Sequence, residues 1–324
     1  CGTLGTLGFQ TPTGMVSTGF TTPESVELQQ MLQTLQLAGV DNLVMEISSH
    51  ALDQHRVDNV EVDIAIFSNL TPEHLDFHGD MENYFKAKLQ LFQTLAVDKT
   101  AVINFDDPYA QRICSSISAK CITYGMNKKA DLHPVQAEFT TNGIKAQLQF
   151  REHIISIDSL LLGEYNLSNI MAGAAAALSM GVSIPKIENA VKNMSPIPGR
   201  MELISCDCPG KVFVDYAHSP DAYEKIFSSL SSLATGEVKL LTVFGCGGNR
   251  DSGKRSEMAK ISEKYSAFSF ITMDNPRNED VENINADIIR GFSGDDFTVI
   301  PDRKEALTTA LKKMDENSIL LILG

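Results

Sequence analysis

Lys88 stands on the apolar side of an amphipathic stretch. Over residues 80–95 a helical spacing puts Met81, Tyr84, Phe85, Lys88, Phe92 and Leu95 on one face, with Glu82, Lys86, Gln90 and Gln93 opposite. A helix with this pattern buries the first set, so the Lys88 amine points inward while that of Lys86 meets water. Burial disfavours the ammonium form, which makes a neutral, reactive amine available. Taken alone, such a lysine more often runs its stem to the surface and keeps its charge in water. The upstream sequence shifts the balance, because it is rich in ligands. Glu46-Ile-Ser-Ser-His50 follows an apolar run at 43–45, and residues 68–80 gather His74 and His78 with Glu73, Asp76 and Asp80. Glu46, His74 and a modified Lys88 would make a hard-metal site. A buried neutral lysine captures CO2 as a carbamate, turning a nitrogen into an oxygen ligand of the kind Mg2+ prefers. Each part has a plainer reading, a solvated loop histidine or a helix-capping glutamate; the combination points to a metal.

The second half repeats the logic. In a parallel sheet, ligands bind outside the carboxyl ends of the strands. After the apolar run 212–214 come Asp215-Tyr-Ala-His218 and then Ser219-Pro220-Asp221, a hydroxyl cap with proline in the first helical position. After 240–244 comes a glycine-rich loop, 245–255, carrying Arg250, Asp251, Lys254 and Arg255. Its glycines permit close backbone approach, and its basic residues suit phosphate or carboxylate. After 268–273 comes Asp274-Asn275-Pro276-Arg277. A single loop of this kind reads as an ordinary turn with a surface ion pair of little weight; three on one sheet edge of an acidic protein argue for a ligand.

These residues need a scaffold. Thr22-Pro23-Glu24 reads as a helix start, with Val26, Met31, Leu32 and Leu35 as the buried stripe and Gly39 as the stop. Short strands are expected over 43–47, 63–68 and 101–104. Residues 136–158 alternate around an Asn142-Gly143 turn, as in a hairpin or small antiparallel sheet. An Ala-rich helix is expected over 169–180. Near Pro196-Ile-Pro198-Gly199-Arg200 the pattern restarts, and strands over 212–214, 240–244, 268–273, 297–300 and 319–323 alternate with helical stretches, implying a second parallel sheet. The expected fold is α/β: a central, mostly parallel-sheet domain with a small antiparallel appendage over 1–197, then a Rossmann-like α/β domain over 198–324. No internal repeat is present. The chain opens at Cys1 within a Gly/Thr-rich stretch and stops at Gly324 straight after an apolar run, so both ends read as cut through a fold.

A net charge of −14 argues against nucleic-acid binding but permits anionic small molecules held by local basic groups and helix N-termini. No apolar run is long enough for a membrane span, and no signal peptide is visible. The six cysteines lack paired zinc spacing; Cys206 and Cys208 form only a CxC, and a reduced, cytoplasmic setting is expected.

Several ordered runs together resemble the Mur ligase family. They are Thr21-Thr22, Met45-Glu-Ile-Ser-Ser-His-Ala-Leu52 with Gln54-His-Arg56, Asn69-Leu-Thr-Pro-Glu-His-Leu-Asp76 with His78-Gly79-Asp80, Tyr165-Asn-Leu-Ser-Asn169, Gly199-Arg-Met-Glu202, Asp215-Tyr-Ala-His218, the loop 245–255 and Asp274-Asn-Pro-Arg277. The resemblance runs from about Gly2 to Gly324. It implies ATP-dependent amide-bond formation between meso-2,6-diaminopimelate and UDP-N-acetylmuramoyl-L-alanyl-D-glutamate, through an acyl phosphate, by a monomer. It further implies that Glu46, His74 and carbamylated Lys88 organise Mg2+, and that Thr21, Thr22, Ser48, Gln54 and Arg56 hold the UDP-muramoyl dipeptide. By the same resemblance Asn169 contacts adenine, and Arg200, Asp215 and His218 meet the nucleotide. Arg250, Asp274, Asn275, Pro276, Arg277 and Gly324 would bind the amino acid. In this family Asn-Pro-Arg marks the diaminopimelate enzymes, and a guanidinium suits the second carboxylate that lysine lacks.

The family's phosphate loop has no counterpart here, since Gly-x-x-x-x-Gly-Lys-Ser/Thr occurs nowhere in the chain. It is expected upstream of Cys1 together with a uridine-binding domain, and Gly324 is expected to open a Gly-Lys-Gly-His-Glu run. The chain by itself is therefore expected not to catalyse. A lysine-adding sibling, a folylpolyglutamate-synthase-like ligase and an inactive fragment that only folds or binds a partner are the alternatives.

Overall fold

The computed structural model describes every residue except 13, 234–237 and 250. The chain falls into two compact units. One comprises Cys1–Pro134, Gln149–His153 and Met171–Ser183; the other comprises Val135–Leu148, Ile154–Ile170 and Ile184–Gly324.

The first unit opens with β1 (Gly2–Gly5), β2 (Gly8–Thr11), β3 (Gly14–Val16), α1 (Ser25–Leu37) and β4 (Leu43–Met45). The Gly/Thr-rich start is thus a meander, which the sequence did not suggest: these strands are too short and too small-residued to show alternation. Sheet order is β3-β2-β1-β4, with β4 parallel to β1 through Thr3↔Val44. β4 is an edge strand with Val44 exposed, where a buried strand is expected from 43–47. α1 also corrects the sequence reading. Its buried positions are Leu28 and Leu35, whereas Val26 is exposed, because 28, 31, 32 and 35 share a helical face that 26 misses. Gly39, at φ +71°, ends the helix as expected.

Next come α2 (Ser49–Asp53), β5 (Ile64–Phe67), α3 (Leu75–His78), α4 (Met81–Gln93), β6 (Thr100–Asn104), α5 (Ala110–Ser115) and β7 (Lys120–Tyr124). β5, β6 and β7 pair in parallel, through Ala65↔Ala101 and Val102↔Ile122. α4 has the expected amphipathic form. Tyr84, Phe85 and Phe92 are buried, Lys88 is half-buried, and Glu82, Lys86, Gln90 and Gln93 are exposed. Asp80 caps it, accepting from the Asn83 N–H at 2.8 Å.

β8 (Leu132–Thr140), β9 (Gly143–Phe150) and β10 (His153–Ser159) complete the six-strand order β10-β9-β8-β7-β6-β5. Asn142 and Gly143 lie at the first of two tight two-residue connections, which make these neighbours antiparallel. α6 (Glu164–Ser179) begins five residues before the expected 169, because the Asn166 and Leu167 N–H groups already bond back to Gly163.

The second unit continues with α7 (Ile184–Lys192), β11 (Glu202–Ile204), β12 (Lys211–Asp215), α8 (Pro220–Leu233), β13 (Lys239–Phe244), α9 (Gly253–Tyr265), β14 (Phe268–Ile271), α10 (Val281–Ile289), β15 (Phe297–Val299), α11 (Arg303–Lys313) and β16 (Ser318–Leu323). Its sheet runs β11-β12-β16-β13-β14-β15. All neighbours are parallel except β11, which pairs antiparallel to β12 through Leu203↔Phe213. β13 and β16 are almost wholly buried, as expected of central strands covered on both faces. Phe213, Phe227, Phe244 and Leu321, all fully buried, anchor one side of this core. In the connection between β11 and β12, Cys206 and Cys208, two residues apart with a Cα separation of 5.4 Å, form a disulfide where the sequence reading kept both as thiols. No helix among the described residues is long and apolar enough to cross a membrane.

Phe213→Ala removes a fully buried ring from β12, one strand in from the edge of this sheet. It is expected to lower unfolding free energy by about 4 kcal/mol in urea titration; a change near zero would show that the core does not depend on this ring.

Candidate functional site

In the first unit, one hydrogen-bond network joins the loops after β1, before α1 and after β4. The Glu46 carboxylate accepts from the Thr6 N–H (3.1 Å) and hydroxyl (2.7 Å), and the Thr6 hydroxyl also meets that of Thr21 at 3.0 Å. A Cβ on Gly5 would come within 2.7 Å of the Glu46 carboxyl carbon, so a side chain there would displace the carboxylate from this position. Thr22 does not cap α1, whose N-cap is Glu24 with no side-chain bond. Its buried hydroxyl donates to the Glu46 carbonyl (2.9 Å) and accepts from the Ser48 N–H (3.0 Å), tying together the loop that follows β4. Ser48 caps α2 at the Ala51 N–H. Arg56 donates to the Thr22 carbonyl (2.9 Å) and to Gln54 Oε1 (2.5 Å), and pairs with Glu24 at 2.8 Å. Thr21, Thr22, Ser48, Gln54 and Arg56, scattered over 36 sequence positions, are therefore gathered with Glu46. Gly5 and Thr6 were missed, because nothing in a short Gly/Thr run marks it as a carboxylate cradle.

The second cluster is aromatic and basic. His74 precedes α3 in a left-handed conformation, φ +57°. Its ring lies 4.9 Å from that of His50, which also neighbours Phe77 (4.2 Å) and His78 (5.6 Å). His78 is buried, bonded to the Ser49 hydroxyl at 2.9 Å and stacked on Tyr84 at 5.0 Å. Burial foremost lowers the pKa of both His50 and His78, and facing imidazoles add to it. The Lys88 amine lies 5.2 Å from the Tyr84 ring centre. Burial lowers its pKa, and the carboxylates of Glu73 and Asp107 only partly offset that. Asp107 is itself fixed by the N–H groups of Leu70 (2.8 Å) and Tyr109 (2.9 Å). Among the described residues no three His, Cys, Asp or Glu side chains converge as a metal centre.

In the second unit, the carboxyl ends of β12, β13, β14 and β16 carry the charged loops. Asp215 is buried; its carboxylate accepts from the Met201 and Ala217 N–H groups, each at 2.7 Å. Burial raises its pKa against those bonds. The Gly324 N–H donates to the Asp215 carbonyl (3.3 Å), and the Asp274 carboxyl lies beside Gly324. Arg200 lies over the Tyr216 ring at 5.4 Å, His218 bonds the Tyr216 carbonyl through Nδ1 (2.9 Å), and Lys254 donates to the His218 carbonyl (2.8 Å). Asn169 is exposed on α6, oriented by Asn166 Oδ1 at 3.2 Å.

The glycine loop and the 274–277 run interlock. A Cβ on Gly248 would meet the Pro276 carbonyl at 1.9 Å, so the backbones pass at a distance only glycine allows. Arg277, at φ +51°, donates to the Gly248 carbonyl (2.8 Å), and Gly248 N–H to the Asn275 carbonyl (2.9 Å). Arg255 corrects the sequence reading, which had it facing ligand. It is 1% exposed, forks onto both oxygens of Glu279 (2.7 Å each) and reaches Asp287 (2.9 Å). The fork holds the Glu279 carboxyl down at about 2. Arg250 lies outside the described residues.

Fold and loops together define an α/β protein with charged loops at the carboxyl ends of parallel strands. The chain belongs to the Mur ligase family: residues 1–177 match the Mur ligase middle domain and residues 199–324 the Mur ligase glutamate ligase domain. It is 38% identical to the UDP-N-acetylmuramoyl-L-alanyl-D-glutamate–2,6-diaminopimelate ligase of Geobacter metallireducens, over 99% of this chain and 67% of that protein. With the enzyme of the same name from Halalkalibacterium halodurans identity is also 38%, over 100% and 67%. A solved structure of a ligase of that name superposes with TM-score 0.73 at 33% identity, over 100% of this chain and 67% of that one. The fold is shared with Mycobacterium tuberculosis folylpolyglutamate synthase, with TM-score 0.73 at 17% identity over 96% and 71%. The chain spans about two thirds of the length of these curated relatives.

Arg255→Lys keeps the charge but loses the fork, and is expected to cost about 3 kcal/mol of stability. Glu279 is depressed from 4.5 to about 2. Its contribution is therefore fully present above pH 4.5 and disappears as pH falls toward 2. Acid titration of unfolding should show a shallower slope for Arg255→Lys in that window; parallel curves for the two proteins would contradict the clamp.

Proposed function

We propose that the protein containing this chain is an ATP-dependent ligase that joins meso-2,6-diaminopimelate to UDP-N-acetylmuramoyl-L-alanyl-D-glutamate in peptidoglycan precursor synthesis. The observation that carries this reading is the interlocked 245–255 and 274–277 pair at the edge of the second sheet, in a chain 38% identical to relatives of that name. Arg277 uses one N–H on Gly248 and keeps further donors for a ligand. A carboxylate fits them in paired geometry, and diaminopimelate carries a carboxylate where lysine has only an amine.

The reaction joins an acid to an amine. The terminal carboxylate takes the γ-phosphoryl group of ATP as an acyl phosphate. The amine then attacks that carbonyl, and phosphate leaves from the tetrahedral intermediate. Thr21, Thr22, Ser48, Gln54 and Arg56 hold the muramoyl dipeptide, and their mutual hydrogen bonds fix its carboxylate in place before reaction. Asn169, Arg200, Asp215 and His218 serve the nucleotide. Asp274, Asn275, Pro276, Arg277 and Gly324, with Arg250, serve the incoming amino acid.

The donor chemistry suits Mg2+. Glu46 offers a carboxylate already oriented by Thr6, His74 offers an imidazole, and Lys88 offers an amine whose charge is disfavoured. Addition of CO2 to the neutral Lys88 amine, with loss of one proton, gives a carbamate oxygen as the missing donor. Bound there, Mg2+ would supply positive charge between two anions that must meet.

Protein equilibrated with 13C-labelled bicarbonate should show a carbamate carbon resonance that is absent from Lys88→Ala. The same variant of the intact enzyme should be inactive and regain turnover with a short carboxylic acid. Full activity of Lys88→Ala would remove the carbamate. Arg277→Ala should lower kcat/KM for diaminopimelate roughly 30-fold or more with little change in the KM for ATP; an unchanged kcat/KM would take Arg277 out of the amino-acid site.

A further inference from the structure

Two thiols away from the ligand-bearing loops face each other at reactive distance. Cys114 lies in the last turn of α5 and Cys121 is the second residue of β7, with Sγ atoms 3.0 Å apart. Cys121 is exposed and Cys114 half-buried, so small molecules reach the pair. Both elements that present them are anchored. β7 pairs with β6, where Cys121 sits opposite Ala101. α5 is braced against α4: Arg112 takes both oxygens of Glu82 (2.9 and 2.8 Å) and lies 4.1 Å over the Phe85 ring, which stacks on Tyr109 at 4.7 Å. A disulfide requires side chains that point at each other, and here they already do.

We propose that Cys114 and Cys121 form a reversible dithiol–disulfide pair, a modification site that responds to low-molecular-weight disulfides. Cys114 is the attacking sulfur. The two thiols share a hydrogen bond, and the contact with Cys121 holds the Cys114 pKa below that of an ordinary thiol, while the pKa of Cys121 is pushed up. The Cys114 thiolate attacks one sulfur of the small disulfide; that S–S bond breaks and one thiolate departs. Cys121 then loses its proton and attacks Cys114 Sγ in the mixed disulfide, expelling the second thiolate. Two protein thiols are oxidised, the small disulfide is reduced to two thiols, and the two protons end on them. The new bond ties the end of α5 to β7. Because α5 braces α4, the helix that carries Lys88, oxidation stiffens the support of that helix.

The test uses the whole chain, fully reduced, then exposed to oxidised glutathione, blocked with N-ethylmaleimide and cut with trypsin. Cleavage after Arg112 and Lys120 separates the two thiols into peptides 113–120 and 121–128. The expected product is these two peptides linked, two hydrogens lighter than their sum, and released by dithiothreitol. Cys114→Ser and Cys121→Ser should each leave a glutathione adduct on the remaining cysteine. Amide exchange across α5 should slow in the oxidised wild-type protein and not in either variant. Recovery of both peptides carrying N-ethylmaleimide, or both carrying glutathione without a link, would overturn the pair. Equal exchange in both redox states would overturn the bracing.

Discussion

One buried guanidinium sets the shape of the second unit's ligand edge. Arg255 comes from the first turn of α9, yet its partners lie on the loop before α10, on α10 itself and on the glycine loop, through Glu279, Asp287 and the Gly247 carbonyl. A charge that is 1% exposed is costly unless its donors meet acceptors; both terminal nitrogens of Arg255 do, while its buried Nε finds none. The match fixes the distance between the two loops, and Gly248 then lets their backbones touch. Arg277 is held on the same scaffold, so its orientation depends on a residue that never meets ligand.

The first unit solves a parallel problem with hydroxyl and backbone groups beside one carboxylate and one guanidinium. The Thr22 hydroxyl both gives to Glu46 and receives from Ser48, and Arg56 closes the ring on the Thr22 carbonyl. The side chains of this network come from four short segments, around Thr6, Thr22, Glu46 and Arg56. Hydrogen bonds to backbone and between side chains tie these segments together. Lys88 has the opposite setting. An amphipathic helix carries it inward, where burial disfavours its charged form.

The sequence made the periodic parts legible. The Lys88 face, the Gly39 stop, the hairpin at Asn142-Gly143 and the strand–helix alternation after residue 198 all follow from spacing that survives in the fold. It misled where local chemistry has two uses. Thr22-Pro23-Glu24 has the composition of a helix cap, but Thr22 finds better partners 24 and 26 residues away. Arg255 sits in a basic glycine loop, and only its acceptors, 24 and 32 residues on, show that it faces inward. Strands β1 to β3 carried no alternation to read. The meeting of Cys114 with Cys121 depends on how α5 packs beside β7, which no motif records.

The central claim is the amino acid that the ligase accepts. The direct measurement is phosphate release by the intact protein with ATP, Mg2+ and UDP-N-acetylmuramoyl-L-alanyl-D-glutamate, comparing meso-diaminopimelate with L-lysine. The account predicts turnover with diaminopimelate and a kcat/KM for lysine lower by about two orders of magnitude, as expected when a guanidinium is left without its carboxylate. Equal or greater turnover with lysine would contradict the role given to Arg277 and, with it, the assignment of the substrate.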